Sequence, residues 1–242
     1  YVIAEQFGML EELYPGRIDL GLGRAPGTDQ QTLGRALRRD PNSAERFPDD
    51  VLELQAWLSN SSPLPGVTAV PGFNTNVPLI ILGSSMFGAS LAAQLGLPYA
   101  FASHFAPQHL EQATAYYREN YQPSEEHPEP YCIAAVNVTA SDTEEDAKRQ
   151  TTVVHRNRVR AFMGRQGKQL TDDQLDTVVN SYQGRQITDM LRYTAEGTGE
   201  QVAEYLEHFR ATAQADELMI SLQAGSHEEV GRSMEILAEA WN

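Results

Sequence analysis

Pro78-Leu79-Ile80-Ile81-Leu82-Gly83-Ser84-Ser85 is the stretch whose reading decides the fold. Four consecutive large aliphatic residues ending in small ones read as a strand buried on both faces, the pattern of a parallel sheet. The residues after it agree. Ser84 or Ser85 is placed to cap a helix from Met86 to about Leu95. Gly96 stops that helix and Pro98 keeps it stopped. Residues 98–102 then read as a short strand ending at Ser103-His104-Phe105. A helix over 107–120 follows, with Leu110, Ala113, Tyr116 and Tyr117 at its apolar positions.

Upstream, residues 17–23 alternate Ile18, Leu20 and Leu22 with Asp19, Gly21 and Gly23, which is strand periodicity. Two glycines within a strand predict a close approach to its backbone. The strand ends in Arg24, followed by Ala25-Pro26-Gly27. Before it, Val2, Ile3, Phe7, Leu10 and Leu13 keep helical spacing up to the turn at Pro15-Gly16. A basic helix-like run covers 32–39, with a break at 40–43. An amphipathic helix opens at Phe47-Pro48, with Val51, Leu52, Leu54, Trp57 and Leu58 on one side. Residues 67–70 read as a short extended piece.

Downstream, 131–140 is a strand, apolar nearly throughout, and Thr143-Glu144-Glu145-Asp146 opens a helix with acids in its first turn. Between Lys148 and Lys168 stand seven basic residues and no acid: Lys148, Arg149, Arg156, Arg158, Arg160, Arg165 and Lys168. Such a run is a solvated face or subunit contact, or helps hold an anion at a site. Residues 170–192 read as irregular helix and loop. A helix beginning near Gly199 turns Val202, Tyr205, Leu206 and Phe209 inward, 216–222 is the last strand, and 228–241 the closing helix. One helix followed by five strand–helix units means an α/β fold with a parallel sheet, either a barrel or a doubly wound sheet.

The 242-residue chain is 41% hydrophobic and 21% charged, as expected of a globular core. Its net charge of −15 repels phosphate backbones, so nucleic acid is not an expected partner, and any anion site must be built locally. Neither a membrane span nor a signal peptide stands out. The single Cys132 excludes an intramolecular disulfide, fits a cytoplasmic protein, and on its strand reads as a small hydrophobe. The chain opens at Tyr1 inside what already reads as a helix, without a capping residue, which predicts that an N-terminal portion precedes it.

Two features carry chemistry. Arg24 closes one strand, and Gly83-Ser84-Ser85 closes the next and opens a helix. In a parallel α/β fold adjacent strand C-termini share a face, and serine hydroxyls with helix N-terminal N–H groups facing an arginine make a phosphate clamp. The plainer reading is a surface arginine at a turn and serines that only cap. No Walker lysine loop and no G-x-G-x-x-G follows a strand. His104 also follows a strand and is a candidate catalytic acid, base or donor, against a structural role. The remaining histidines show no metal spacing, so no metal is expected.

Ala4-Glu5-Gln6-Phe7-Gly8, the run from Tyr14 through Gly27, Leu82-Gly83-Ser84-Ser85, Ala92-Ala93-Gln94-Leu95-Gly96-Leu97-Pro98 and Phe101-Ala102-Ser103-His104-Phe105-Ala106-Pro107 resemble the bacterial luciferase-like monooxygenases, in the branch without light emission. The resemblance implies a TIM (β/α)8 barrel of which strands four to eight are present. It implies one partial barrel domain over 1–242, with a helical and loop insertion at about 148–196. It implies reduced FMN, or the deazaflavin F420 in some branches, acting with O2 on a small organic substrate, or else a non-catalytic flavin binder. By this likeness Arg24, Gly83, Ser84, Ser85 and Gly88 bind the cofactor, with Arg24 and Ser85 at the flavin phosphate. The histidine that is catalytic in luciferase falls outside the matched stretch, and its reactive cysteine position is Gly23 here, so aldehyde oxidation with light is not implied. A separate flavin reductase and a homodimer are the implied protein partners.

Overall fold

The computed structural model describes residues 1–24, 44–164 and 170–241. The loop after Arg24, the run at 32–39, the break at 40–43, and Arg165 and Lys168 lie outside the described residues. The chain divides into two compact units: Tyr1–Ala100 with Tyr116–Tyr131, and Phe101–Ala115 with Cys132–Asn242.

In the first unit, helix α1 (Val2–Leu13) leads into strand β1 (Leu20–Gly23). The strand is three residues shorter than its periodicity predicts. Helix α2 (Phe47–Leu58) buries Val51, Leu54, Trp57 and Leu58, while Leu52 is exposed, contrary to its expected place on that face. Residues 67–70 form no strand; the chain there turns through Pro71-Gly72. Strand β2 (Leu79–Gly83) pairs parallel with β1, Leu20 with Leu79 through Gly23 with Leu82.

The expectation that β2 is buried on both faces fails. Leu79 and Ile81 are buried, but Leu82 is 44% exposed. The neighbours of Ile80 and Leu82 across the pair are Gly21 and Gly23, which have no side chains to cover them. What approaches the β1 backbone is Leu82 itself: a Cβ on Gly21 would stand 2.9 Å from its Cδ1.

Helix α3 (Met86–Leu95) ends at Gly96 in the left-handed conformation, as its sequence predicts. Strand β3 (Tyr99–Phe101) follows, its Tyr99 N–H donating to the Tyr131 carbonyl at 3.0 Å. The helix predicted over 107–120 is a 3₁₀ turn at Pro107–His109 and helix α4 (Leu110–Glu119). The Tyr117 hydroxyl, fully buried, donates to the Leu97 carbonyl at 2.9 Å.

In the second unit every residue of strand β4 (Cys132–Ala140) is buried. Helix α5 (Glu144–Gly164), helix α6 (Asp172–Val179) and helix α7 (Tyr182–Thr188) share a core of Val159, Met163, Leu175 and Ile187. The stretch read as irregular is thus largely helical. Strand β5 (Thr194–Gly197), helix α8 (Gly199–Thr212), strand β6 (Glu217–Leu222) and helix α9 (His227–Ala240) complete the unit.

The count of five strands is corrected to six among the described residues, because β5 was unread. It is short and polar, Thr-Ala-Glu-Gly, and its regularity comes from pairing with β4 rather than from apolar periodicity. β4 pairs parallel with both partners, Asn137–Ala140 with β5 and Ile133–Val138 with β6. The fold is α/β with parallel strands.

Candidate functional site

In the first unit, the register that sets Gly23 beside Leu82 brings Arg24 and Gly83 to the same end of the β1–β2 pair. Gly83, Ser84 and Ser85 then turn the chain into α3. Ser85 is the N-cap, with extended backbone (φ −149°, ψ 166°), but its side chain makes no capping hydrogen bond. The expected cap position is right and the expected capping bond is absent. An exposed hydroxyl and the first-turn N–H groups of α3 are left for another acceptor.

Arg24 is exposed, and its guanidinium lies over the Phe87 ring at 3.9 Å. Stacking on the face holds the plane while leaving the N–H edge to meet an anion. Gly88 works from behind. A Cβ there would meet Tyr99 Cε2 at 3.2 Å and Gly83 Cα at 3.4 Å, so strand end and helix touch backbone to backbone. The Tyr99 hydroxyl donates to the Ser85 carbonyl at 3.2 Å and braces the same turn. Arg24, Gly83, Ser84, Ser85 and Gly88 are therefore neighbours, with Gly88 serving the packing. Phe87 and Tyr99 escaped the sequence reading, since an aromatic in a helix or strand looks like core.

This donor set fits a phosphate: a guanidinium, two serine hydroxyls and an uncapped helix N-terminus. It also matches the local construction that a chain of net charge −15 requires.

His104 belongs to the second unit, in the turn three residues past the Phe101 end of β3. Its ring packs edge-on against Phe105, centroids 4.7 Å apart. Its carbonyl accepts a hydrogen bond from Asn137 Nδ2 at 2.8 Å. Asn137 is completely buried in the middle of β4, and Ser103, also buried, donates to the Ala135 carbonyl. His104 Nδ1 and Asn137 Oδ1 are both buried without a hydrogen-bond partner among the described residues. Burial, and secondarily the Arg158 charge, holds the His104 imidazole below its usual 6.5. Burial likewise lowers His155, opposed by Glu196.

Asn137 was missed, although one amide in a nine-residue apolar strand is a signal. Cys132 is buried, as expected of a small hydrophobe. No metal-binding cluster exists among the described residues, and no described helix is long and apolar enough to cross a membrane.

The lowered histidines give a signed prediction. In the unfolded chain they bind protons more readily than in the fold, so stability is full above about pH 6.5 and declines as pH falls through that value. Melting temperatures measured from about pH 7.5 to 5.5 should therefore fall less steeply for His104→Gln than for the parent. Equal slopes would mean that burial does not disfavour the His104 charge.

The family model described as luciferase-like monooxygenase matches residues 1–239. The uncharacterized protein YvbT of Bacillus subtilis (strain 168) is 44% identical over 243 residues, covering 99% of this chain and 72% of that protein. A luciferase-like monooxygenase of Escherichia coli (strain K12) is 40% identical over 236 residues, covering 97% and 70%. The crystal structure of apo-MsnO8 superposes with a TM-score of 0.82 at 30% identity, covering 99% of this chain and 73% of that one. Two more distant structures share the fold. One is the oxygenating constituent of 3,6-diketocamphane monooxygenase from Pseudomonas putida in complex with FMN (TM-score 0.62, 14% identity, 99% and 74% covered). The other is the coenzyme F420-dependent tetrahydromethanopterin reductase of Methanopyrus kandleri (TM-score 0.62, 14% identity, 98% and 78% covered).

Proposed function

The chain belongs to the luciferase-like monooxygenase family, and from that premise we propose that it is a flavin-dependent monooxygenase using reduced FMN and O2 on a small organic substrate. The observation that carries this reading is the uncapped N-terminus of α3 with Arg24 stacked beside it on Phe87. Ser84 and Ser85 hydroxyls, the α3 N–H groups and Arg24 hold the phosphate end, and Gly83 and Gly88 keep the turn close-packed. When bound, the reduced flavin supplies the electrons that activate O2. A separate reductase delivers it, and the enzyme works as a homodimer.

We assign β1, β2, β3, β4 and β6 to strands four to eight of a (β/α)8 barrel, with β5 an addition at the C-terminal half of β4. In support, β6 pairs along six residues of β4, whereas β5 pairs along four.

His104 is the catalytic candidate. An imidazole whose charged form burial disfavours can accept or relay a proton at Nδ1, the atom that lacks a partner among the described residues. His104→Gln is expected to lower kcat about a hundredfold, within the range of general acid–base effects, with FMN affinity and, at about pH 7.5 where the parent histidine is neutral both folded and unfolded, melting temperature nearly unchanged. A lower melting temperature with normal kcat would assign His104 to the core.

Absorbance titration of the purified protein with FMN and with F420 tests the cofactor. Saturation by FMN, followed by O2 uptake with a flavin reductase and NADH that departs from that of the reductase and FMN alone, supports the proposal. Saturation by F420 alone would make the protein an F420-dependent oxidoreductase, and FMN binding that leaves the reductase's own O2 uptake unchanged a flavin carrier.

A further inference from the structure

We propose that Tyr99 is the positioning residue of the phosphate site: its buried hydroxyl holds the Ser85–Met86 peptide so that the Met86 N–H turns toward the open side of the α3 N-terminus. The inference rests on the reading above, in which this turn takes the cofactor's phosphate, and adds the residue that sets the turn's geometry.

A helix N-terminus is ordinarily fixed by its N-cap side chain, which accepts a hydrogen bond from an N–H of the first turn. Ser85 makes no such bond, so its own side chain does not fix this turn. The fixing contact comes from the next strand. Tyr99 on β3 is completely buried, and its hydroxyl donates to the Ser85 carbonyl at 3.2 Å. The Ser85–Met86 bond is trans, since the cis peptide among the described residues is Val70-Pro71. In a trans peptide the C=O and N–H point in opposite directions. Drawing the carbonyl toward a buried ring therefore sends the Met86 N–H away from it, to the side on which Ser85 is exposed. The Ser85 hydroxyl is left for the ligand.

The phenol is a rigid support. The Tyr99 N–H donates to the Tyr131 carbonyl at 3.0 Å, and its ring packs on that of Tyr117, centroids 5.5 Å apart. Two glycines give the ring passage to the turn. A Cβ on Gly83 would lie 3.5 Å from Tyr99 Cε2 and from its hydroxyl oxygen, and one on Gly88 3.2 Å from Cε2. Gly83 ends β2 and Gly88 is the third residue of α3, so the phenol enters between strand end and helix start. Phe87, on which Arg24 stacks, belongs to the same helical turn.

A buried tyrosine hydroxyl usually finds some acceptor, and Tyr117 shows the plain case, donating to the Leu97 carbonyl at 2.9 Å. Tyr99 differs in its acceptor, the N-cap carbonyl of the helix whose first-turn N–H groups are the phosphate donors.

The test is fluorescence titration of FMN and riboflavin with the purified protein, with Tyr99→Phe and with Tyr117→Phe as control, beside amide NMR spectra of the methionine-labelled parent. The parent is expected to bind FMN more tightly than riboflavin. Tyr99→Phe should narrow that preference about three- to tenfold, the range of one hydrogen bond, by weakening FMN alone. Tyr117→Phe removes an equally buried hydroxyl and should leave the preference intact, whatever its effect on melting temperature. The Met86 amide signal of the parent, identified by its loss in Met86→Leu, should shift with FMN and far less with riboflavin. A preference undiminished in Tyr99→Phe, equal losses for both ligands, or a narrowing as large in Tyr117→Phe overturns the proposal. So does a Met86 amide that FMN moves no more than riboflavin, a result read on the parent alone and independent of whether Tyr99→Phe folds. If the parent itself binds the two ligands equally, or does not bind FMN, the phosphate reading of the turn fails and the role of Tyr99 falls with it.

Discussion

Arg24→Ala is expected to weaken FMN binding about tenfold, and to leave riboflavin, which lacks the phosphate, nearly unaffected. The direction follows from charge. A protein of net charge −15 repels a dianion, so the local cation carries a large share of the attraction. A charge-assisted hydrogen bond spans about ten- to a hundredfold in affinity, and because Arg24 is exposed, solvent screening keeps the loss near the lower end. The Phe87 ring centre lies 3.9 Å from the guanidinium carbon, a cation–π contact that restricts where the fork can go before the ligand arrives. Ser85→Ala should show the same selectivity with a smaller loss, since its hydroxyl is one donor beside the α3 N–H groups. Titrations of both ligands against both variants decide the matter. Equal losses for FMN and riboflavin would mean that these residues shape the site without gripping a phosphate.

Gly8→Ala should be the most destabilising small substitution in the first unit. α1 rests on the Pro71-Gly72 turn at backbone contact. A Cβ on Gly8 would stand 2.1 Å from Gly72 Cα and 2.6 Å from its nitrogen. Neither atom belongs to a flexible side chain, and Gly72 also meets α1 one turn earlier, where a Cβ on Gly72 would stand 2.4 Å from the Ala4 carbonyl oxygen. Forcing such contacts apart costs at least about 1–3 kcal/mol, several degrees of melting temperature for a chain this size. Gly231→Ala is the control. It sits in α9, exposed, and a Cβ there would have nothing within 4 Å. Removing a glycine from an exposed helix interior should stabilise by about 0.5–1 kcal/mol. Thermal melts should therefore move in opposite directions for the same chemical change. A Gly8→Ala protein that melts with the parent would show that α1 does not seat on Gly72.

The parts of this protein that the sequence disclosed are those whose signal is local. Leu79-Ile80-Ile81-Leu82 could be little but a strand, Gly96 marked the end of α3 by its left-handed φ of 61°, and acids opened α5. Arg24 and Ser84-Ser85 were legible as a cluster because parallel strands end on one face, whatever their register. What stayed hidden depends on partners distant in the chain. β5 exists through its ladder with β4, and nothing in Thr-Ala-Glu-Gly announces it. Leu82 looked buried because apolar runs usually are; its exposure follows from two glycines about sixty residues earlier.

The central claim, that this chain binds reduced flavin for reaction with O2, is tested most directly by rapid mixing. Reduced FMN is incubated anaerobically with excess protein, mixed with oxygenated buffer, and followed by flavin absorbance. No substrate need be known. The prediction is a reoxidation time course that differs from that of free reduced FMN, saturates with protein concentration, and reverts toward the free course in Arg24→Ala. A time course identical to free reduced FMN at every protein concentration would contradict it.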